Sequence, residues 1–159
     1  MTANWRFLLR RPAHFLAFGF GTGLSPYAPG TVGTLAGFPL YFLLRGLDPV
    51  VYFAVVGALF AAGVWFCDVA GKALGVADHG GIVWDEIVAL LLVLPFAPPM
   101  LAGYAAAFLL FRLFDIWKPF PIRYADEHIH GGFGVMFDDL LAAGYAIACL
   151  LALTRWGVL

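Results

Sequence analysis

The stretch "IVWDEIVALLLVLPF", residues 82–96, places an aspartate and a glutamate directly before a run without any charge. An ionised carboxylate near hydrocarbon is costly unless something compensates its charge. Asp85 and Glu86 therefore have two interpretations: they are first-turn residues stabilised by the helix macrodipole, or they belong to a functional site. Because neighbouring helix residues point about 100° apart, we expect one of the pair to ligate or react while the other hydrogen-bonds or caps.

The composition of the whole chain indicates a membrane protein. Of its 159 residues, 63% are apolar and 12% are charged. A soluble domain this small leaves too much of its surface in water to hide so much apolar area. The formal net charge of −1 gives no reason to expect a nucleic-acid partner. We predict one domain over residues 1–159, with no signal peptide removed, since no cleavage pattern follows the first apolar stretch.

Long uncharged stretches predict the helical segments. They cover residues 31–44, 49–67, 87–111 and 140–154. Three prolines, Pro95, Pro98 and Pro99, divide the third stretch, which gives five segments. The apolar runs show no alternation of period 2, so helices are expected rather than a barrel. The predicted fold is an all-α, polytopic membrane bundle of about five short or tilted helical segments.

Charged residues gather on one side of this predicted bundle. If the five segments all cross, the N-terminal region and the loops 68–86 and 112–139 share a side, which holds seven of the nine Lys and Arg residues. The positive-inside bias makes that side cytoplasmic. All acids except Asp48 lie there too, although acids follow no such rule. We interpret their clustering as a polar site at headgroup depth, with Trp5, Trp84 and Trp117 as interfacial anchors.

The first candidate loop is "GFGTGLSPYAPGTVGT", residues 19–34. Its five glycines allow close approach of the backbone to an anion, and it ends with Thr31 and Thr34, either of which is able to cap a following helix. An ordinary turn at the entry to the membrane is the alternative. The second loop, "DHGGIVWDE" (78–86), contains the two acids described above.

The third loop, "FRLFDIWKPFPIRYADEHIHGGFGVMFDD" (111–139), is the most informative. Arg112, Asp115 and Lys118 follow at intervals of three along the end of a helix, so we expect them to line one face. Pro119 stops this helix, and Pro121 is suited to start a short interfacial helix.

The remainder of the third loop adds more acids. Arg123, Asp126 and Glu127 fall on the predicted interfacial helix, where a surface ion pair between Arg123 and one of the two acids is the alternative to a function. The glycines that follow permit a sharp return. Asp138 and Asp139 are then expected to open the last helix, as Asp85 and Glu86 open the third.

These side chains suit one type of chemistry if they meet. Mg²⁺ commonly binds one or two carboxylates, several waters and a substrate phosphate. Arg112, Lys118 and Arg123 suit the phosphate itself. The set fits metal-assisted phosphoryl hydrolysis. Two other classes are weighed: a phosphatidyltransferase-like lipid enzyme, whose D-G-x-x-A-R signature does not occur, and a small membrane transporter, which predicts polar residues within the spans.

Three blocks of the sequence resemble the phosphatidylglycerophosphatase A family of bacterial membrane lipid phosphatases. They are "GTGLSPYAPGTVGTLA", "DHGGIVWDEIV" and "FRLFDIWKPFPIRYADEHIHGGFGVMFDDLLAAGYA". The resemblance implies an all-helical, multi-pass protein of the bacterial cytoplasmic (inner) membrane. It also implies Mg²⁺-dependent hydrolysis of phosphatidylglycerophosphate to phosphatidylglycerol and inorganic phosphate, with a membrane phospholipid and the lipid bilayer as partners.

The resemblance also extends to individual polar residues. The matching positions are Thr31, Asp85, Glu86, Arg112, Asp115, Lys118, Arg123, Asp126, Asp138 and Asp139. We expect the metal ligands to be Asp85, Glu86, Asp115, Asp138 and Asp139, which together with Lys118 form the catalytic set. We expect the substrate to be bound by Thr31, Arg112, Lys118, Arg123 and Asp126.

Overall fold

The computed structural model describes residues 3–76 and 79–159. These residues form nine α-helices and two short 3₁₀ turns, and no strand occurs among them. The helices are α1 (Trp5–Leu8), α2 (Pro12–Ala17), α3 (Pro29–Leu35), α4 (Gly37–Leu44), α5 (Pro49–Leu74), α6 (Trp84–Val93), α7 (Leu101–Trp117), α8 (Ile122–His128) and α9 (Gly131–Arg155). The 3₁₀ turns are Gly19–Leu24 and Leu94–Phe96. The prediction of an all-α fold is confirmed.

Local sequence signals set both ends of α5. The Asp48 carboxylate accepts a hydrogen bond of 2.9 Å from the amide of Val50, and Pro49 occupies the first helical position, where no amide proton is needed. Gly75 ends the helix in the left-handed conformation, with φ at 79°. The helix therefore continues to Leu74, past the predicted boundary at residue 67.

Two helices, α5 and α9, are long and apolar enough to cross a membrane, with 26 and 25 residues. Only 22% of the most apolar window of α5 and 39% of that of α9 are buried inside the chain. A core helix of a soluble protein buries most of its apolar surface, whereas these two direct most of theirs outward. Their surfaces suit contact with lipid.

One of the predicted segments differs from the structure, and another divides where the prolines predict. The stretch 31–44 is not a single helix, because the chain turns at Ala36 between α3 and α4. The proline-containing stretch divides as predicted: α6 gives way to a 3₁₀ turn containing Pro95, and α7 begins only after Pro98 and Pro99. The expected break after α6 is thus confirmed.

The last helix begins earlier than predicted. Gly131, with φ at 75°, makes the turn, and α9 starts there rather than at Asp138. Gly132 then lies directly against the backbone of α5, where a Cβ would overlap the carbonyl oxygen of Val64. Asp138 and Asp139 consequently lie about two turns inside α9, so the expectation that they open it is wrong.

We predict that Gly132→Ala lowers the stability of the protein by about 1–3 kcal/mol, because the new methyl group meets backbone atoms that have no rotamer with which to move aside. Gly144→Ala is the matched control on the same helix, since nothing lies within 4 Å of a Cβ there. That change is expected to be neutral or stabilising by up to about 1 kcal/mol. Thermal unfolding in a mild detergent compares them, and equal melting temperatures would contradict the close α5–α9 packing.

Candidate active site

The carboxylate of Glu86 connects all three candidate loops. The hydroxyl of Thr34 on α3 donates a hydrogen bond to its Oε2, and Nη1 of Arg112 on α7 lies 2.9 Å from the same oxygen. Gly30 makes this approach possible, because a Cβ at that position would overlap the Glu86 carboxylate. Helix α3 is therefore held against the first turn of α6 by a buried polar contact.

Arg112 lies between two acids. Besides Glu86, its Nη1 forms an ion pair with Asp115 one turn further along α7, as their spacing of three predicts. The side chains of Arg112 and Asp115 are 14% and 12% exposed. In this arrangement the guanidinium orients carboxylates, and its expected contact with substrate stays a prediction.

Arg112 does not fully offset the negative charge around it. Burial raises the pKa of Glu86 to about 7, although Arg112 and the hydrogen bond from Thr34 act in the opposite direction, and the nearby Asp115 raises it further. A pKa raised in the presence of a cation means that the carboxylate is poorly solvated. The site therefore has the capacity to bind additional positive charge.

Asp139 links this network to the last helix. It is 3% exposed and lies within electrostatic range of Asp115, Asp85, Asp138 and Glu86. Its Oδ2 is buried, and within the ranges 3–76 and 79–159 no hydrogen-bond donor reaches it. The five acids predicted as metal ligands therefore come together from α6, α7 and α9, although they are far apart in the sequence.

Lys118 closes the other side of the cluster. Its Nζ lies 2.6 Å from Asp138 Oδ2 and 2.9 Å from Asp126 Oδ1. Burial lowers the pKa of Lys118, but the hydrogen bonds to Asp138 and Asp126 outweigh it and raise the pKa above its ordinary value. Lys118 remains a cation that joins α9 to α8.

The backbone explains how Lys118 reaches these acids. Lys118 follows the last residue of α7 and adopts the left-handed conformation, with φ at 46°. It therefore does not continue the helical face of Arg112 and Asp115, and the prediction of a single face for all three is wrong. The early end of the helix, before Pro119, turns the ammonium group toward Asp138.

A cavity of about 390 Å³ adjoins Lys118 on its outer side. Arg123, Trp117, Tyr124 and Glu127 are among its lining residues, and Arg123 is exposed. Asp126 pairs with Lys118 and not with Arg123, so the alternative of an ion pair between Arg123 and Asp126 is wrong. Arg123 stands beside the carboxylate cluster without joining it.

The threonine that reaches the site is not the one expected. Thr31 is half-buried on α3, whereas Thr34 is fully buried and contacts Glu86. Neither threonine caps a helix, because α3 begins at Pro29 and its capping position is Ala28. Thr31 and Thr34 are three residues apart and therefore lie on the same face of α3. The sequence predicted this face correctly, but it could not predict which of the two threonines contacts Glu86.

Comparison with known proteins establishes the relationship. The sequence model described as phosphatidylglycerophosphatase A matches residues 15–154. The chain belongs to the phosphatidylglycerophosphatase A family. It is similar to the phosphatidylglycerophosphatase A of Haemophilus influenzae, with 49% identity over 93% of this chain and 92% of that protein. It is also similar to that of Escherichia coli, with 44% identity over 88% of this chain and 82% of that protein.

A third similar protein comes from Bacteroides thetaiotaomicron and is named, provisionally, as a phosphatidylinositol-3-phosphatase. It is 38% identical over 93% of this chain and 98% of that protein. No solved structure matches the chain. The resemblance of the three sequence blocks to the phosphatidylglycerophosphatase A family is thus confirmed, and the chain is an enzyme of the phosphatase class.

The family resemblance implies Mg²⁺, which requires hard oxygen donors. Within the described ranges no group of three or more His, Cys, Asp or Glu side chains is placed to hold a metal ion. Magnesium, however, commonly takes only one or two carboxylates, with water and substrate oxygens completing its shell. The buried Oδ2 of Asp139 lies within electrostatic range of four other acids and has no hydrogen-bond donor among the described residues, which fits that requirement.

We predict that Thr34→Val lowers stability by about 1–3 kcal/mol, because the buried Glu86 loses a hydrogen-bond donor without a replacement. It should also lower phosphatase activity about tenfold or more by releasing Glu86 from its position. Thr31→Val, one turn away on α3, is the control and should change both quantities little. Melting temperature and phosphate release measure the two effects, and a greater loss for Thr31→Val would reverse the assignment.

Proposed function

We propose that the chain hydrolyses the terminal phosphate of phosphatidylglycerophosphate, releasing phosphatidylglycerol and inorganic phosphate in the synthesis of phosphatidylglycerol and cardiolipin. The observation that supports this most strongly is the convergence of acids from α6, α7 and α9 in a chain that belongs to this family. The two relatives with 44–49% identity carry the same name. The phosphatidyltransferase and transporter alternatives have no comparable support.

The proposed reaction is the attack of water on the terminal phosphorus atom. A bond forms from the water oxygen to phosphorus, the bond from phosphorus to the glycerol oxygen breaks, and the water's proton ends on the departing glycerol oxygen. A carboxylate of the cluster carries that proton in transit. Mg²⁺, when bound, would neutralise phosphate charge and lower the pKa of water.

The chain's own cations would position the phosphate. Lys118 is 23% exposed and lies between the buried acids and the 390 Å³ cavity, so its ammonium is able to exchange Asp126 for a phosphate oxygen. Arg123 lines the same cavity, from which it would contact a second oxygen of the headgroup. Asp139, with Asp138 or Asp85 as a second carboxylate, would supply oxygen ligands, while Arg112 keeps Glu86 and Asp115 in place.

The proposed setting is the bacterial cytoplasmic (inner) membrane, crossed several times, with the site on the cytoplasmic side. The apolar outer surfaces of α5 and α9 and the bias of Lys and Arg toward one side support this. Lipid tails would remain in the bilayer while the headgroup enters the cavity beside Lys118. A phosphate carried on a lipid headgroup is thus presented where the acids meet.

The name of the third relative makes phosphatidylinositol 3-phosphate the substrate to compare. Both lipids carry a phosphomonoester on a polyol that is joined to the membrane by a phosphodiester. We propose the glycerol headgroup because the two relatives that carry this name have higher identity. Parallel assays in the same micelles would compare kcat/KM for the two lipids.

We predict that Asp139→Asn, Asp85→Asn and Asp115→Asn each reduce phosphate release from phosphatidylglycerophosphate in mixed micelles by about 100-fold or more, since each removes charge from the proposed metal and phosphate site. EDTA should abolish the wild-type activity, and added Mg²⁺ should restore it. Asp48→Asn is the matched control. It makes the same change at the N-terminus of α5, outside the carboxylate cluster, where asparagine also caps a helix well.

Full activity in all three variants would exclude the carboxylate cluster as the catalyst. Activity that resists EDTA would exclude the metal while leaving the family relationship intact. A loss of activity in Asp48→Asn equal to that in Asp139→Asn would mean that the losses reflect general destabilisation.

A further inference from the structure

A second charged cavity lies outside the carboxylate cluster, between α2 and the C-terminal end of α5. Its volume is about 500 Å³, and its walls include Arg10, Arg11, His14 and Lys72 together with Phe7. The proposed reaction uses none of these residues. The cavity lies at the same end of the molecule as the beginning of α6, because the amide of Val83 donates a 2.9 Å hydrogen bond to the carbonyl of Ala17.

The lining of this cavity is positively charged. Three of its residues are cations, and within the described ranges no carboxylate is among its lining residues. Lys72 forms an ion pair of 2.6 Å with Asp68, but the Lys72 side chain is 76% exposed, and pairs of this kind hold a cation only weakly. An anion that enters the cavity would therefore meet Arg11 and the weakly held Lys72.

His14 supplies a buried polar atom that faces no protein partner. The residue is 4% exposed, and its ring stacks on Phe7 with centroids 4.1 Å apart. Its Nδ1 lies 3.1 Å from the carbonyl oxygen of Phe7, which only accepts, so Nδ1 carries a proton. Its Nε2 is buried and has no hydrogen-bond partner in the described part of the chain. Because Nε2 is enclosed, the His14 ring forms part of the packed wall of the cavity and is not one of the groups that would contact a ligand.

We propose that this cavity binds the anionic phosphodiester headgroup of a membrane phospholipid. Arg11 and Lys72 would contact the phosphate oxygens. Basic pockets beside membrane helices at the cytoplasmic surface are a recurrent form of lipid site.

The apolar surface of α5 favours a lipid over free phosphate. This helix forms one wall of the cavity, and most of its apolar surface faces away from the protein. A lipid whose headgroup occupies the cavity would extend its acyl chains along α5 in the bilayer. Free phosphate would use the cations but gain nothing from that surface. The inference does not depend on the proposed reaction.

The test is a binding titration of the full-length protein in a neutral detergent. Calorimetry would measure the affinity for dihexanoyl phosphatidylglycerol, with dihexanoyl phosphatidylcholine and inorganic phosphate as comparison ligands. The Arg11→Gln/Lys72→Gln variant removes two exposed cations from the cavity. Each basic residue contributes roughly fivefold in affinity, so we expect binding of phosphatidylglycerol to weaken about 25-fold.

The matched control is Arg6→Gln/Arg155→Gln, which makes the same change in net charge at two exposed residues outside the cavity lining. Its affinity should stay within about twofold of wild type. Equal losses of affinity in both variants would mean that the lipid responds only to the net charge of the protein. An unchanged affinity in the cavity variant would mean that the lipid binds elsewhere. Equal affinity for phosphatidylcholine, or inorganic phosphate binding as tightly as the lipid, would also overturn the proposal.

Discussion

The buried contact between Glu86 and Arg112 is the constraint on which the arrangement of the site depends. A carboxylate this deeply buried needs compensation, and Arg112 and Thr34 provide it from two other helices. The first turn of α6 is therefore held to α3 on one side and to α7 on the other. The contact thus fixes the turn of α6 that carries Asp85 beside the end of α7 that carries Asp115.

The cluster remains unbalanced even with its cations in place. Five acids face Arg112 and Lys118, and Lys118 is shared with Asp126. On a surface exposed to water, the solvent would screen the repulsion between these carboxylates. This site instead lies among helices whose outer faces are apolar, where screening is weaker. A divalent cation would offset this excess of negative charge.

The sequence predicted the all-helical fold, the division at the prolines and the residues that meet in the cluster. It could not give the relative register of the helices. Thr34 rather than Thr31 reaches Glu86 because Gly30 lets α3 approach α6 closely, which is a tertiary contact. Trp84 is buried and donates to the carbonyl of Leu59 at 3.2 Å, so its interpretation as an interfacial anchor is wrong.

The central claim is that these separate carboxylates share one divalent cation beside Asp139. Crystals grown with Mn²⁺ and inorganic phosphate would test it directly, because anomalous scattering locates the metal without an assay. We predict a peak within about 2.0–2.3 Å of Asp139 Oδ2, with a phosphate oxygen in the same shell. A Mn²⁺ peak bound elsewhere, with the Asp139 carboxylate packed against protein groups alone, would contradict the account.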